Sequence, residues 1–432
     1  MDRRVADILI KGGRVIDPSQ DLDRVTDVAI RRGRIESLAR VGKGAMANFG
    51  AVINANGKVV CPGLLDMHVH LREPGYEHKE TVLTGCRAAA AGGFTGVACM
   101  PNTNPPIDDA ATVKMILEKA NEAKFSVWPI AAVSPGREGK ALTEMAELVE
   151  TGAIGFSDDG SPIHDSHLMR TALEYSRMLG VPIIDHAEDH SLTVLGSMHE
   201  GKASAILGVR GMPCIAEDVI VARDILIAEY TGGHLHIAHL STATSLDLVR
   251  QAKKRGVHVT CEVTPHHLTL TDQDVRASGL DPNWKMSPPL RSADDVKALR
   301  KGLKDGTIDF IASDHAPHHL DDKDTTFEDA AFGIVGLETT LGVILTELVA
   351  PGVVDLPTAI ALMSTRAAET FSLPVGTLKR GSAADITVFD PEAEWTVEPG
   401  DFRSKSVNTP WAGRTLKGRA TDVVVQGRLY RK

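Results

Sequence analysis

Hydrophobic and polar positions change rhythm twice along the chain. Over the first sixty residues, short apolar runs are broken by turn residues. DILIKGGRVIDP carries a Gly-Gly pair and VINANGKVV an Asn-Gly pair, a pattern that predicts β-hairpins rather than helices. The same style returns at the other end in ADITVFDP and TDVVVQGRLY, so residues 1–61 and 374–432 are expected to pair into one small β domain. Between them, over 62–373, apolar strands alternate with helical stretches. The strand candidates are 63–70, 95–100, 127–133, 153–159, 181–188, 234–241, 257–265 and 308–315. ATVKMILEKANEAK, SHLMRTALEYSRML, AEDVIVARDILIAEY and DDVKALRKGLK separate some of them, with apolar residues at three- and four-residue spacing and Ser or Asp near several starts. Eight β/α pairs describe a closed parallel barrel of the α/β class, with its chemistry at the carboxyl ends of the strands. A doubly wound open sheet has the same periodicity and stays an alternative.

Composition narrows the partners. The 432 residues carry 57 acidic and 47 basic side chains, a formal charge of −10, so a basic nucleic-acid-binding surface is not expected. A 43% hydrophobic content is enough to bury a large core and excludes disorder as the main state. The five cysteines are scattered without a C-x-x-C pair, against a disulfide scaffold or a thiolate zinc site. The opening MDRRVADILIKGG lacks the long apolar stretch of a signal peptide. The most apolar late stretch, 336–354, is interrupted by Glu338 and Glu347 and suits a buried helix rather than a bilayer. A soluble cytoplasmic protein with no membrane partner is expected.

The strongest chemical signal is Asp66-Met67-His68-Val69-His70 at the end of the first barrel strand. Successive strand residues point to opposite faces, so His68 and His70 share a side and can reach one metal. Alone, such a pair is as readily structural as ligating. Four other strand ends are also rich in ligand types: Ser157-Asp158-Asp159, Asp185-His186, Ala238-His239 and Ser313-Asp314-His315. Polar groups at apolar strand ends are costly to bury unless paired or metal-bound, and a packed barrel core would use Val, Ile or Leu there. Four imidazoles and two carboxylates can supply two zinc-like ions with a carboxylate bridge and open positions for water.

GLLDMHVHLREPG, MPNTNP, GFSDDG, DHAED, HIAHLS, KMSPPLR and SDHAPH, in this order and spacing, resemble a dihydroorotase of the bacterial type within the amidohydrolase superfamily. The likeness covers nearly the whole chain. It implies a (β/α)8 TIM barrel with a small β-sandwich domain from the terminal segments. It also implies reversible closure of N-carbamoyl-L-aspartate to L-dihydroorotate in pyrimidine synthesis. Carried over by motif, His68, His70 and Asp314 would hold one zinc and His186 and His239 a second, two per subunit, with Asp159 bridging and Asp158 as the neighbouring candidate. Related hydantoinases and allantoinases bridge their metals with a carboxylated lysine, for which no lysine stands between Lys140 and Lys202. Asp314 is the expected proton shuttle. Arg72, two residues past His70, supplies a fork for the substrate carboxylate. By the same resemblance His70, Asn102, Ser287, His318, Phe332 and Gly333 contact substrate.

Two residues depart from the family pattern: Ser287 stands where Asn is usual, and Ala331 where Pro is usual. The shorter Ser287 side chain puts substrate affinity in doubt, not the chemistry. Residues 319–331 are polar and charged, fitting either a mobile loop over the site or a solvated surface loop. His266 and His267 are expected to be structural or to sit behind the ligands, while His199, His234, His236 and His258 carry no interpretable signal. The competing readings are a hydantoinase-like or allantoinase-like cyclic amidase and a non-catalytic scaffold for aspartate transcarbamoylase. Retention of all six ligands weighs against the scaffold, although an active enzyme could dock there too. A homodimer is also implied.

Overall fold

A computed structural model describes residues 7–430; the start of the charged opening, MDRRVA, and Arg431-Lys432 lie outside it. Strands from both ends of the chain lie in one eight-stranded sheet. The two halves are joined where Val59–Pro62 runs antiparallel to the start of Ile386–Thr396, with Pro62 opposite Ile386 and Val59 opposite Phe389. Alternation then assigns the two faces. Val60, Ile386, Val388 and Val424 pack with Ile8, Ile10 and Ile30 in a core of the sheet's own. Their neighbours Val59, Cys61, Phe389, Val423 and Val425 join the large core of the central segment.

The two expected hairpins near the amino terminus are not hairpins. Ile8–Asp17 is one strand, and the Gly-Gly pair is an irregularity within it. Ala51–Asn54 and Val59–Pro62 both pair with that strand, in parallel, rather than with each other. The Asn56-Gly57 turn bulges out opposite Gly12, whose φ is +74° and whose Cβ, were there one, would meet Asn56 Oδ1 at 2.1 Å. Glycine is therefore needed here for close approach and a left-handed backbone within a continuous strand.

In the central segment, parallel pairing joins Leu64–Val69, Phe94–Cys99 and Ser126–Pro129 in one sheet. A second holds Ile183–Asp185, Leu235–Ile237, Val259–Val263 and Phe310–Ile311. The fourth candidate is reduced to Phe156, bridged in parallel to Ala131 on one side and Ile183 on the other. Its polar continuation turns inward on local bonds: Asp159 N donates to Ser157 Oγ (3.1 Å) and Ser134 N to Asp158 (3.1 Å). At the other seam Val69 bridges His315, and His70 N donates to His315 O at 2.8 Å.

The helices outside these strands follow the predicted spacing. Ser166–Leu179 starts where Asp165 accepts the His167 and Leu168 amides and stops at left-handed Gly180. It buries Leu168, Met169, Ala172, Leu173 and Ser176 along one stripe. The late apolar stretch is a short helix, Thr340–Ile344, continued by one wide turn, Leu345–Val349. Among the described residues no helix is long and apolar enough to cross a membrane.

The terminal sheet is tied to the first barrel-type strand by Thr387, which is fully buried. Its hydroxyl accepts from Leu64 N (3.1 Å) and donates to Gly93 O (2.6 Å). Thr387→Val keeps the shape and strands both backbone groups, so it should cost about 1–3 kcal/mol. Urea unfolding checks this, and an unchanged midpoint would show that the tie is dispensable.

Candidate active site

Six side chains from five strand ends converge. His68 and His70 come from the first strand, Asp159 from the Phe156 segment, and His186, His239 and Asp314 follow Ile183–Asp185, Leu235–Ile237 and Phe310–Ile311. Asp159 is central: its Oδ1 lies 3.5 Å from His68 Nε2, 3.6 Å from His186 Nδ1 and 3.8 Å from His239 Nε2, and its Oδ2 lies 3.7 Å from His70 Nε2. Asp314 Oδ1 stands 3.0 Å from His70 Nε2 and 3.7 Å from His68 Nε2. His186 Nδ1 and His239 Nε2 are 2.8 Å apart. Asp158 faces the other way, accepting from Ser134 N and Oγ. His239 and Asp314 both hold left-handed backbone conformations, with φ of +32° and +48°. Such φ values are uncommon outside glycine, although Asp and His adopt them more readily than most residues.

The donor set fits divalent cations. His68 Nε2 and Asp159 Oδ1 are buried without a hydrogen-bond partner. His68, Asp159 and His239 form one group of mutually close ligand atoms, and His68, His70 and Asp314 another. Burial alone would pull the imidazoles down and the carboxylates up; it prevails at His70, whose pKa is lowered, but mutual attraction outweighs it at His68, His186, Asp159 and Asp314. His186 is held up at about 10 by Asp159 and Glu188, and His68 stands well above its ordinary value beside Glu262 and Asp159. Asp159 and Asp314 lie well below the usual carboxylate range, through His68, His186 and His239 for the first and chiefly His70 for the second. Oxygen and imidazole donors of this kind suit zinc-like ions, and binding of such an ion would release a proton from any protonated imidazole it engaged.

The cluster floors a cleft of about 920 Å³ lined by every residue expected to touch substrate. Arg72 is buried, with φ +61°; Nε donates to Pro317 O (3.1 Å) and Nη2 lies 3.4 Å from His318 Nε2. Burial lowers its pKa to about 10, still a cation at neutral pH. Asn102 Oδ1 meets His70 Nδ1 at 2.8 Å, leaving its amide nitrogen for a ligand. Ser287 Oγ donates to Glu188 (3.0 Å), so its hydroxyl is held by a neighbour at the cleft wall.

The Phe332-Gly333 backbone lines the cleft and is also bonded to its neighbours. Phe332 O pairs with His318 Nε2 at 2.8 Å, and Gly333 N donates to Lys285 O at 2.9 Å. A Cβ at Gly333, whose φ is +128°, would meet Ala316 Cβ at 2.7 Å. Residues 319–331 cover part of the cleft through Thr326, Glu328 and Asp329. They are anchored from beneath: buried Lys323 Nζ donates to Pro282 O (3.0 Å) and Ala331 O (2.6 Å), and Lys285 Nζ to Glu328 O (2.7 Å).

Two carboxylates escaped the sequence reasoning. Glu188 lies 3.3 Å from His186 Nε2, and its position two residues on in DHAED was a usable signal. Glu262 lies 2.5 Å from His68 Nδ1, and nothing in VTCEVTP pointed to that partner. His267 is structural, bonded to Thr264 (2.8 Å) and Pro288 O (2.9 Å), while buried His266 has a free Nε2 and feels the charges of Asp314, His239 and His68.

A family model described as "Dihydro-orotase-like" matches residues 57–245. The chain is similar to the dihydroorotase of Geobacter metallireducens, at 51% identity over 98% of this chain and 99% of that one. It is also similar to the dihydroorotase of Pelotomaculum thermopropionicum, at 51% over 98% of each. Among solved structures it resembles the L-hydantoinase (dihydropyrimidinase) from Arthrobacter aurescens, with a TM-score of 0.85, 25% identity and coverage of 98% of this chain and 96% of that one. The D-hydantoinase (dihydropyrimidinase) from Thermus sp. gives a TM-score of 0.80 at 27% identity, covering 98% of this chain and 94% of that one. The fold is thus shared with hydantoinases, but identity of about one half along nearly the full length is shared with dihydroorotases, and the chain belongs to the dihydroorotase family.

Proposed function

We propose that the six-residue cluster is the metal centre of a dihydroorotase, built on a closed (β/α)8 barrel over 62–373 with a small β-sandwich from 1–61 and 374–432. The reaction is the reversible opening of L-dihydroorotate to N-carbamoyl-L-aspartate. The observation that carries the site assignment is Asp159 Oδ1, buried and unpartnered among His68, His186 and His239, in a cleft that also holds Arg72. The bridges at Phe156 and Val69 support closure of the barrel.

His68, His70 and Asp314 would hold one zinc ion and His186 and His239 a second, with Asp159 between them. Bound there, the ions would supply Lewis acidity toward a water molecule and the ring carbonyl. Arg72, with Asn102 and His318 beside it, binds the substrate carboxylate and sets the ring over the cluster. Asp314, ionised, accepts the proton released as water adds to the ring amide carbon and delivers it to the ring nitrogen as the C–N bond breaks. Ring closure retraces these transfers. Ser287, engaged by Glu188, acts on the cleft wall rather than as a free donor to substrate.

His68→Ala and His239→Ala should each abolish measurable turnover while circular dichroism stays that of the wild type. A variant with a near wild-type rate would remove the assignment.

Arg72→Lys keeps the charge and loses the fork, so kcat/KM for dihydroorotate should fall roughly 10- to 150-fold, equivalent to about 1.5–3 kcal/mol of lost transition-state binding. Dihydrouracil, which has no carboxylate, should be affected much less, and equal losses on both rings would reject the role.

Asp159→Ala should lower metal content and rate together. Asp158→Ala should lower stability through Ser134 while metal is retained. After chelation, activity should return with zinc in bicarbonate-free buffer, because the chain itself supplies the bridging carboxylate. A strict requirement for bicarbonate would point instead to a carboxylated lysine.

A further inference from the structure

Below His68, toward the amino ends of the parallel strands, runs a file of polar groups that the proposed reaction does not use. His68 Nδ1 meets Glu262 Oε1 at 2.5 Å, and Glu262 Oε2 meets His236 Nε2 at 3.4 Å. His236 Nδ1 lies 2.8 Å from Thr260 Oγ1, which lies 2.8 Å from His234 Nε2. His68, Glu262 and His236 are at most 1% exposed. Thr260 and His234 open into a second cavity, of about 720 Å³. The His236 ring is stacked on Phe310 at 5.1 Å and flanked by Phe371 at 5.8 Å, which holds its plane.

Polar groups in such surroundings are tolerated only when donors meet acceptors. Once metal binding has taken the extra proton from His68, each ring carries one proton, Glu262 is ionised, and a single arrangement satisfies every link. Glu262 can only accept, so His68 donates from Nδ1 and His236 from Nε2. His236 Nδ1 is then an acceptor and takes the Thr260 hydroxyl proton, and the Thr260 oxygen takes the proton of His234 Nε2. The carboxylate therefore fixes both neighbours, and Thr260 completes the arrangement it imposes on His236: His68 Nε2 is left as a lone pair facing Asp159 and Asp314. Glu262 Oε1 also receives the His239 backbone N–H at 3.4 Å, so the same carboxylate touches two of the strand-end segments.

We propose that Glu262 is a positioning residue that, held in turn by His236 and Thr260, keeps His68 as its Nδ1–H tautomer and presents Nε2 to the metal. This rests on the cluster being a metal centre. Carboxylate partners of ligating histidines fix tautomer and ring orientation in this way, and their loss costs roughly 10- to 100-fold in metal affinity. The distinctive element here is Thr260, which touches no ligand and lies at the opposite end of the file.

The test uses the full-length protein, with zinc as the probe and a chelator of known affinity as competitor. Glu262→Gln, equal in size, should weaken zinc retention by roughly 10- to 100-fold. In the zinc-free protein brought to alkaline pH, where His68 carries a single proton, it should also move the His68 ring ¹⁵N signals toward the Nε2–H pattern. Glu262→Asp should restore part of the affinity. Thr260→Val should weaken zinc retention and alter the same ¹⁵N signals, with KM for dihydroorotate unchanged and kcat recovered at saturating zinc. Should Glu262→Gln fail to fold, Thr260→Val alone decides. Wild-type zinc affinity in a folded Glu262→Gln protein, or His68 signals unmoved by Thr260→Val, overturns the inference. Loss of zinc in His68→Ala alongside either result keeps the metal centre and rejects only the file. Retention of zinc by His68→Ala rejects the metal centre itself.

Discussion

The arrangement of the site depends on one constraint: a carboxylate, Asp159, buried at the centre of four imidazoles. An ionised group in that position is tolerable only with opposite charge close on several sides. The chain meets this by ending strands from both sheets in ligand-type residues and turning them toward one point. The left-handed conformations at His239 and Asp314 belong to the same solution, since each departs from its strand direction where its side chain enters the cluster. The strands that carry these two residues pack their apolar side chains in the core.

A second demand follows from the first. Polar side chains packed this closely need a rigid surround, and much of it comes from far away in sequence. Asp66 sits beneath the cluster, accepting Ser313 N with both oxygens at 3.1 Å, and burial pushes its pKa up to about 7. Glu188 and Glu262 stand behind His186 and His68. The terminal segment contributes through Thr387 in its sheet and through Asn408 in the connection between Ile386–Thr396 and Thr415–Val425; the Asn408 side chain accepts from His318 N and donates to Ala316 O and Gly333 O. Removal of the terminal segment would therefore disturb the cleft wall as well as a hydrophobic face.

Selectivity resides on a different part of the cleft. The shared fold with hydantoinases shows that the scaffold accommodates more than one ring. Under the proposed function, the buried Arg72 guanidinium is the group that meets the substrate carboxylate and separates the two rings. The anchored segment over the cleft adds Glu328 and Asp329 to its wall. Their charge opposes entry of an anion except where Arg72 and Lys285 offset it.

The amino-acid sequence determined the alternation of strands and helices through the central segment, the shared face of His68 and His70, and the ligand-bearing strand ends. All are consequences of local periodicity, which records the face of an element on which each residue lies. It also marked Asp159 through its motif while leaving Asp158 as a neighbour, and only the inward turn after Phe156 separated their directions. Tertiary structure alone decided that Gly12-Gly13 lies within a strand, because its partner there is the distant Asn56-Gly57 turn rather than the flanking residues. It decided likewise that Phe332 and Gly333 spend backbone groups on His318 and Lys285, and that Glu262 belongs to His68. Periodicity gives the face but not the partner across the core, and partners are settled only when the parallel strands close on one another.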